Sequence, residues 1–162
     1  MDSHMIQQWN AIVKPQDHIY HLGDVTMARK NQDREAFIKL IRSLNGHKRL
    51  IMGNHDQFHV KTYLDAGFEK VMAMNRLDRT LWLTHVPVHP SSMGSAIANI
   101  HGHTHANPDY TPILQVNDKG TVLCKPYINV CVEKTNYQPI HLEKVKQLVT
   151  KRIKEANGWK TL

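Results

Sequence analysis

Residues 47–56 read HKRLIMGNHD, and residues 18–24 read HIYHLGD. Each is a short strand pattern that ends in glycine followed by polar side chains. A third strand pattern ends in the polar residues Thr84-His85 without a glycine, and residues 102–105 (GHTH) follow the short apolar stretch 97–100. Sites in α/β sheets form beyond the carboxyl ends of the strands, so we expect these four polar clusters to converge on one point.

The four clusters together carry side chains that suit a metal ion. They supply one carboxylate (Asp24), one amide oxygen (Asn54) and three imidazoles (His85, His103 and His105). Mixed nitrogen and oxygen ligands without thiolates suit Mn, Fe, Zn, Co or Ni better than calcium or a structural zinc. His103 and His105 are two residues apart, so an extended backbone puts both on one face.

The hydrophobic periodicity surrounds these clusters with helices and strands. It predicts helices at 5–13, from Asn31 or Asp33 to Leu44, at 60–66 and at 144–156. It predicts strands at 18–22, 48–52, 69–74, 80–84 and 98–100, and one or two more within 121–132. Alternating elements followed by a β-rich half predict a layered α/β fold with helices outside. Neither a repeat nor a linker divides the sequence, and we expect a single domain over residues 1–162.

Composition excludes several other classes of protein. The 162 residues carry a formal charge of +7, which favours an anionic partner, and they include 12 His but two Cys. Two cysteines are too few for a disulfide scaffold, so a reducing compartment, the cytoplasm, is expected. No apolar run approaches the ~20 residues of a membrane helix, and the N-terminus has no signal pattern.

At this point a family resemblance becomes specific. Four clusters resemble, in order, four of the five motifs of the calcineurin-like metallophosphoesterases: Gly23-Asp24, residues 53–56, His85 and residues 102–105. The resemblance runs from about Gln8 to Ile140 and is closest to the small bacterial and phage phosphoesterases. It implies a four-layer α/β/β/α sandwich and a metal-dependent phosphoesterase, with phosphodiesters as the preferred substrates. The Val-Asp-Arg-Gly sequence of the protein Ser/Thr phosphatase branch is absent.

The resemblance also implies a ligand set. Asp24 would bridge two divalent metals, with manganese expected first and iron, zinc, nickel, cobalt or magnesium as alternatives. Asn54, His85 and His103 would complete one metal position, and His105 would belong to the other. A metal pair of this kind clamps the phosphate and lowers the pKa of bound water to roughly 7.

The remaining motif residues are implied to act on protons. A metal-bound hydroxide would attack the phosphorus in line, and His55 would protonate the leaving oxygen while Asp56 orients its ring. His21 and His101 neighbour site residues in the sequence, and we expect them to be hydrogen-bond partners of the site.

One family motif, Asp-x-His at the end of a first central strand, has no credible copy here. Residues 2–4 read Asp-Ser-His, but only Met1 precedes them, so no strand can carry them. We therefore expect the fold to lack its first central strand and to hold one metal well, with a weak or empty second position. The missing strand would expose a sheet edge, which homodimerisation could cover.

The same residues also allow other interpretations. Taken singly, Asp24 is an ordinary turn residue, and Asn54 and Asp56 are ordinary helix caps. Because one motif is missing, the chain could instead be a catalytically impaired member of the fold that acts as a binding or scaffold module. Residues 141–162 hold six Lys or Arg and two Glu, so nucleic-acid binding by the last helix is a further alternative.

Overall fold

The structure is a computed structural model that describes residues 3–27, 33–109, 113–116 and 122–158. Its helices and strands alternate through the first half of the chain, and strands dominate the second half. The α-helices are α1 Ser3–Ile12, α2 Arg34–Arg42, α3 Val60–Asp65 and α4 Leu142–Gly158, and the strands are β1 His18–His21, β2 His47–Ile51, β3 Phe68–Met72, β4 Met74–Leu77, β5 Leu81–Thr84, β6 Ala98–His101, β7 Ile113–Val116, β8 Val122–Lys125 and β9 Tyr127–Asn129.

The described strands form three sheets. The first sheet has the parallel order β1-β2-β3, and the second has the order β4-β5-β6-β9. In the second sheet β4 pairs antiparallel with β5, and the other pairs are parallel. Strands β7 and β8 form an antiparallel pair of their own. The parallel pairing brings the carboxyl ends of β1 and β2, and separately those of β5 and β6, to common edges.

Two hydrophobic cores hold the layers together. One lies between the first sheet and helices α2 and α3, with Phe37, Ile41 and Tyr63 among its fully or nearly fully buried side chains. The other joins Ile51 of the first sheet to strands β5, β6 and β9 of the second, and it includes Val145 and Val149 of α4. The predicted α/β sandwich class is confirmed, with α4 contributing to the core that joins the two sheets.

Strands β1 and β3 form the two edges of the first sheet. Strand β1 pairs with β2 and has no second neighbour in the described strand order, which is the open edge expected where a central strand is missing. Tyr20 and Leu22 are nevertheless packed against the inter-sheet core, and α1 lies near this edge, because the rings of Trp9 and His21 stack with centroids 6.5 Å apart. Homodimerisation at this edge stays a prediction.

Three predicted elements differ from the structure. The segment 69–74 was expected to be one strand, but β3 ends at Met72 and β4 begins at Met74, so the chain changes sheets at Ala73. The second helix ends at Arg42, with Ser43 as its C-cap, rather than at Leu44. Strand β7 was missed, and the end of the segment 121–132 belongs to a short 3₁₀ helix, Val132–Lys134.

A buried tyrosine makes the stability of the fold depend on pH in the alkaline range. Tyr63 is fully buried, and burial raises its pKa from 10.0 to about 12. Because the unfolded chain ionises at the lower pH, the stability that Tyr63 contributes is complete below pH ~10 and is lost as pH rises towards ~12. Urea unfolding of the wild type should show this loss over that window. Tyr63→Phe should flatten it and the exposed control Tyr137→Phe should not, and equal slopes in wild type and Tyr63→Phe would contradict the assignment.

Candidate metal centre

The turn after β1 places Asp24 by means of left-handed backbone. Gly23 has φ +93° and Asp24 has φ +53°. A Cβ on Gly23 would lie 2.6 Å from the backbone N of Gly53 and would also meet the His85 ring. Glycine is therefore needed at position 23, because the turns after β1 and β2 and the side chain after β5 meet there.

Asp56 links the turns after β1 and β2 through hydrogen bonds. The backbone N–H groups of Asp24 and Gly53 each donate to its Oδ2 at 2.8 Å, and the Val25 N–H donates to its Oδ1 at 2.9 Å. The Asp56 residue is 5% exposed, so these three charge-assisted bonds are shielded from water. The carboxylate thus fixes the position of the Asp24 loop relative to the Asn54 loop.

Removing this carboxylate should destabilise the protein strongly. Asp56→Ala leaves three backbone N–H groups without their acceptor, and we expect a loss of about 3 kcal/mol in the free energy of unfolding. Urea unfolding at neutral pH measures the loss. The control Glu155→Ala removes an exposed carboxylate that pairs with Lys151 at 3.8 Å, and it should change stability by less than about 0.5 kcal/mol. Equal effects of the two changes would contradict the role given to Asp56.

Three side chains converge on the Nε2 atom of His85. This nitrogen lies 3.2 Å from Asp24 Oδ2, 3.0 Å from Asn54 Oδ1 and 3.1 Å from His103 Nδ1. On the other side of the ring, Nδ1 donates to the Leu22 carbonyl oxygen at 2.7 Å. Because a carbonyl only accepts, Nδ1 carries a proton, and it is therefore Nε2 whose lone pair is available to a metal ion.

This convergence fits a cation. The carboxylate oxygen of Asp24 and the amide oxygen of Asn54 can only accept, and Nε2 of His85 lies within 3.2 Å of both. Ligand atoms of Asp24, His85 and His103 all lie within 4.8 Å of one another, and no other such group of His, Cys, Asp or Glu occurs in the described part of the chain. The Nδ1–H bond to a backbone carbonyl is the usual way that proteins orient a metal-binding imidazole. The donor set therefore suits a divalent metal, as the sequence predicted.

Left-handed backbone also occurs at this place. Asp24, His103 and His105 are non-glycine residues with φ of +53°, +65° and +49°. Left-handed backbone at such residues costs about 1 kcal/mol or more and tends to cluster at functional sites. Asp24 lies in the turn after β1, and His103 and His105 lie in the loop that follows β6. These three strained positions therefore belong to the segments that carry the predicted site residues.

His105 lies outside the group of converging ligands. Its Nδ1 is 2.8 Å from Glu133 Oε1, and its side chain is 75% exposed. Burial alone would raise the pKa of Glu133, but the hydrogen bond with His105 brings that pKa below its ordinary value. The sequence pattern did not predict this contact of Glu133 with His105. Glu133 is placed there by the short 3₁₀ helix after β9. The assignment of His105 to a second metal stays a prediction.

His55 borders the group through its backbone and presents a free ring atom. Its N–H donates to Asp24 Oδ1 at 2.8 Å, while its Nδ1 is buried without a hydrogen-bond partner. Asp56 therefore does not contact this nitrogen, and its two oxygens accept backbone N–H groups. The predicted role of Asp56 in orienting His55 stays a prediction. Because this nitrogen is buried, a proton transfer to a substrate would use Nε2 of the same ring.

The two further histidines expected near the site occupy buried positions. Burial lowers the pKa of His21, which the nearby Asp56 carboxylate opposes, and its Nδ1 has no hydrogen-bond partner. The expectation that His21 hydrogen-bonds the site is therefore not met through that atom. His101 is fully buried, burial lowers its pKa, and its Nδ1 donates to the Gly102 carbonyl at 2.9 Å, which supports the loop that carries His103.

The basic helix α4 has much of its charge paired. Lys146 lies 3.1 Å from Glu143 and 3.4 Å from Asp78, and Lys151 pairs with Glu155. Arg152 pairs with Asp109. Nucleic-acid binding by this helix remains a prediction, but these pairs reduce the free positive charge that it offers. No helix in the part of the chain that the structure describes has the length and apolar composition that a membrane span requires.

Known proteins resemble this chain in sequence and in fold. A family model described as calcineurin-like phosphoesterase matches residues 3–123. The uncharacterized protein MJ1445 of Methanocaldococcus jannaschii is 32% identical over 152 residues, which cover 93% of this chain and 76% of that protein. The crystal structure of a protein of unknown function, AQ665 from Aquifex aeolicus, matches with a TM-score of 0.62 at 24% identity, covering 90% of this chain and 83% of that one. At this identity, the structural match concerns the fold alone.

Proposed function

The chain belongs to the calcineurin-like phosphoesterase family, and on this premise we propose that it is a metal-dependent phosphodiesterase. Members of the family are in general metal-dependent phosphoester hydrolases. The observation that carries the proposal is the convergence of Asp24, Asn54 and His103 on Nε2 of His85. Such a set of acceptors, buried on one side and open on the other, is suited to holding a cation against an anionic substrate.

The proposed metal ligands are Asp24, Asn54, His85 and His103. A divalent metal bound there supplies Lewis acidity towards a phosphate oxygen and lowers the pKa of a bound water. The chain itself contributes the orientation of the ligands: Leu22 fixes the His85 ring, and the His55 N–H fixes the Asp24 carboxylate. We propose manganese first, one well-held metal per chain, and His105 as a ligand of a weaker second position.

His55 is proposed as the general acid. It follows Asn54 directly, and its backbone N–H donates to Asp24 Oδ1 at 2.8 Å, which places the residue beside the proposed ligands. A protonated imidazole beside the phosphate can donate to the leaving oxygen as the ester bond breaks, which is worth typically 10²–10⁴ in rate. Asp56 supports this residue indirectly, because it fixes the turn from which His55 projects.

Two coarser features accompany this proposal. We propose that residues 1–162 act as one domain, since α4 shares its core with strands of both sheets. We also propose a cytoplasmic location, since two Cys in 162 residues are too few for a disulfide scaffold.

Hydrolysis of bis(p-nitrophenyl) phosphate tests the proposed function. The protein is stripped with a chelator and assayed before and after addition of Mn²⁺, with p-nitrophenyl phosphate as the monoester comparison. We expect turnover of the diester that requires the added metal and exceeds turnover of the monoester. A protein that binds Mn²⁺ but hydrolyses neither ester with any of the metals named above would instead be a catalytically impaired member that serves as a binding module.

A further inference from the structure

A cavity of about 340 Å³ opens directly beside the converging ligands. Asn54 and His85 belong to both its wall and the ligand group. The rest of the wall comes from the carboxyl end of β2, the link between β3 and β4, and the segment after β5, where Met52, Met74, Val86 and Val88 contribute side chains. This size lies at the lower end of the range for small-molecule sites, enough for one ring-sized group.

The wall of the cavity is apolar and uncharged. Of its described lining residues, only His85 can ionise, and that ring faces the ligand group. Met74 is 50% exposed and Val86 is 44% exposed, so two large hydrophobic side chains stand open to solvent at the edge of a polar centre. Methionine adapts its shape and packs favourably against aromatic rings. Small-molecule sites are typically concave, with mostly apolar walls and a few polar groups that fix the ligand.

The uncharged wall of the cavity favours an uncharged substrate group over an anionic one. A second phosphate or a carboxylate would enter this cavity without a cationic side chain to pair it, and burying an unpaired charge is costly. An uncharged ring would bury its surface against Met74 and Val86 while the phosphate reaches the ligand group. We infer that this cavity binds an uncharged, ring-bearing organic group of the phosphate ester, either an aryl group or a base-sized heterocycle. This inference rests on the proposed phosphoesterase function.

Binding of non-hydrolysable phosphonates to the Mn²⁺-loaded protein tests this inference. Phenylphosphonate and methylphosphonate carry the same charged group and differ in the ring. Isothermal titration should give at least about tenfold tighter binding of phenylphosphonate, the gain expected from burying most of one ring. The double variant Met74→Gln/Val86→Thr keeps the side-chain sizes and makes the wall polar, and it should reduce the preference to about threefold or less.

A matched control separates the wall from general surface effects. Val60 and Leu64 of α3 are 43% and 46% exposed and lie outside the cavity lining, so Val60→Thr/Leu64→Gln should keep the tenfold preference. Equal binding of the two phosphonates by the wild type, or a preference that survives the Met74/Val86 variant, overturns the inference while leaving the phosphoesterase proposal standing. Failure to bind either phosphonate when Mn²⁺ is bound overturns both.

Discussion

Replacing His85 with alanine should abolish both metal binding and phosphodiester hydrolysis. Its Nε2 is the atom on which Asp24, Asn54 and His103 converge, at 3.0–3.2 Å. The ring is 6% exposed, and Nδ1 donates to the Leu22 carbonyl, so no neighbouring side chain can take its place without moving the backbone. We expect kcat/KM to fall by about 10³-fold or more, since the Lewis acid and the activated water are lost together.

Two measurements check this result. Elemental analysis after Mn²⁺ loading should show about one metal per chain in the wild type and essentially none in His85→Ala, while circular dichroism shows that the variant is folded. His89→Ala serves as the control, because His89 is exposed and its ring accepts the Ser91 N–H in the loop after β5. A folded His85→Ala protein that keeps its metal would mean that the ion binds elsewhere.

His55→Ala should separate metal binding from catalysis. The variant keeps all four proposed ligands and the backbone N–H that holds Asp24, so the metal content should remain that of the wild type. The loss of the general acid should lower kcat by about 10²–10⁴ for a diester with a poor leaving group. The loss should be much smaller for bis(p-nitrophenyl) phosphate, because p-nitrophenolate departs without needing a proton.

The dependence on the leaving group distinguishes catalysis from positioning. Assays of wild type and His55→Ala on aryl and alkyl diesters should give diverging rates as the leaving group becomes more basic. His18→Ala is a suitable control, since His18 is exposed at the amino end of β1 and stacks on His47 at 4.9 Å. A uniform loss on every substrate would assign His55 a structural or binding role instead.

The candidate site was predictable because it depends on strand ends. Gly23-Asp24, Asn54 and His85 each follow an apolar strand, and the parallel pairing of β1 with β2 and of β5 with β6 brings those ends together. His103 follows β6 in the same manner. The positions of these side chains are set by the regular geometry of the sheets, which hydrophobic periodicity reveals.

Other parts of the site depend on contacts that no spacing encodes. Asp56 accepts hydrogen bonds from three backbone N–H groups, and two of these are more than 30 residues away in the sequence. Its role in linking the two turns therefore depends on the completed fold. Glu133 reaches His105 only because β9 is followed by a 3₁₀ turn. The break at Ala73 was missed for a similar reason, since 69–74 is a continuous strand pattern whose two parts belong to different sheets.

A crystal structure of the Mn²⁺-loaded protein, with anomalous scattering measured at the manganese edge, tests the central claim most directly. We expect a strong anomalous peak within metal-ligand distance of Asp24, Asn54, His85 and His103, with a weaker peak or none beside His105. A well-ordered protein with no peak among these four side chains, or with its manganese bound at a different group of residues, would contradict the assignment of this centre.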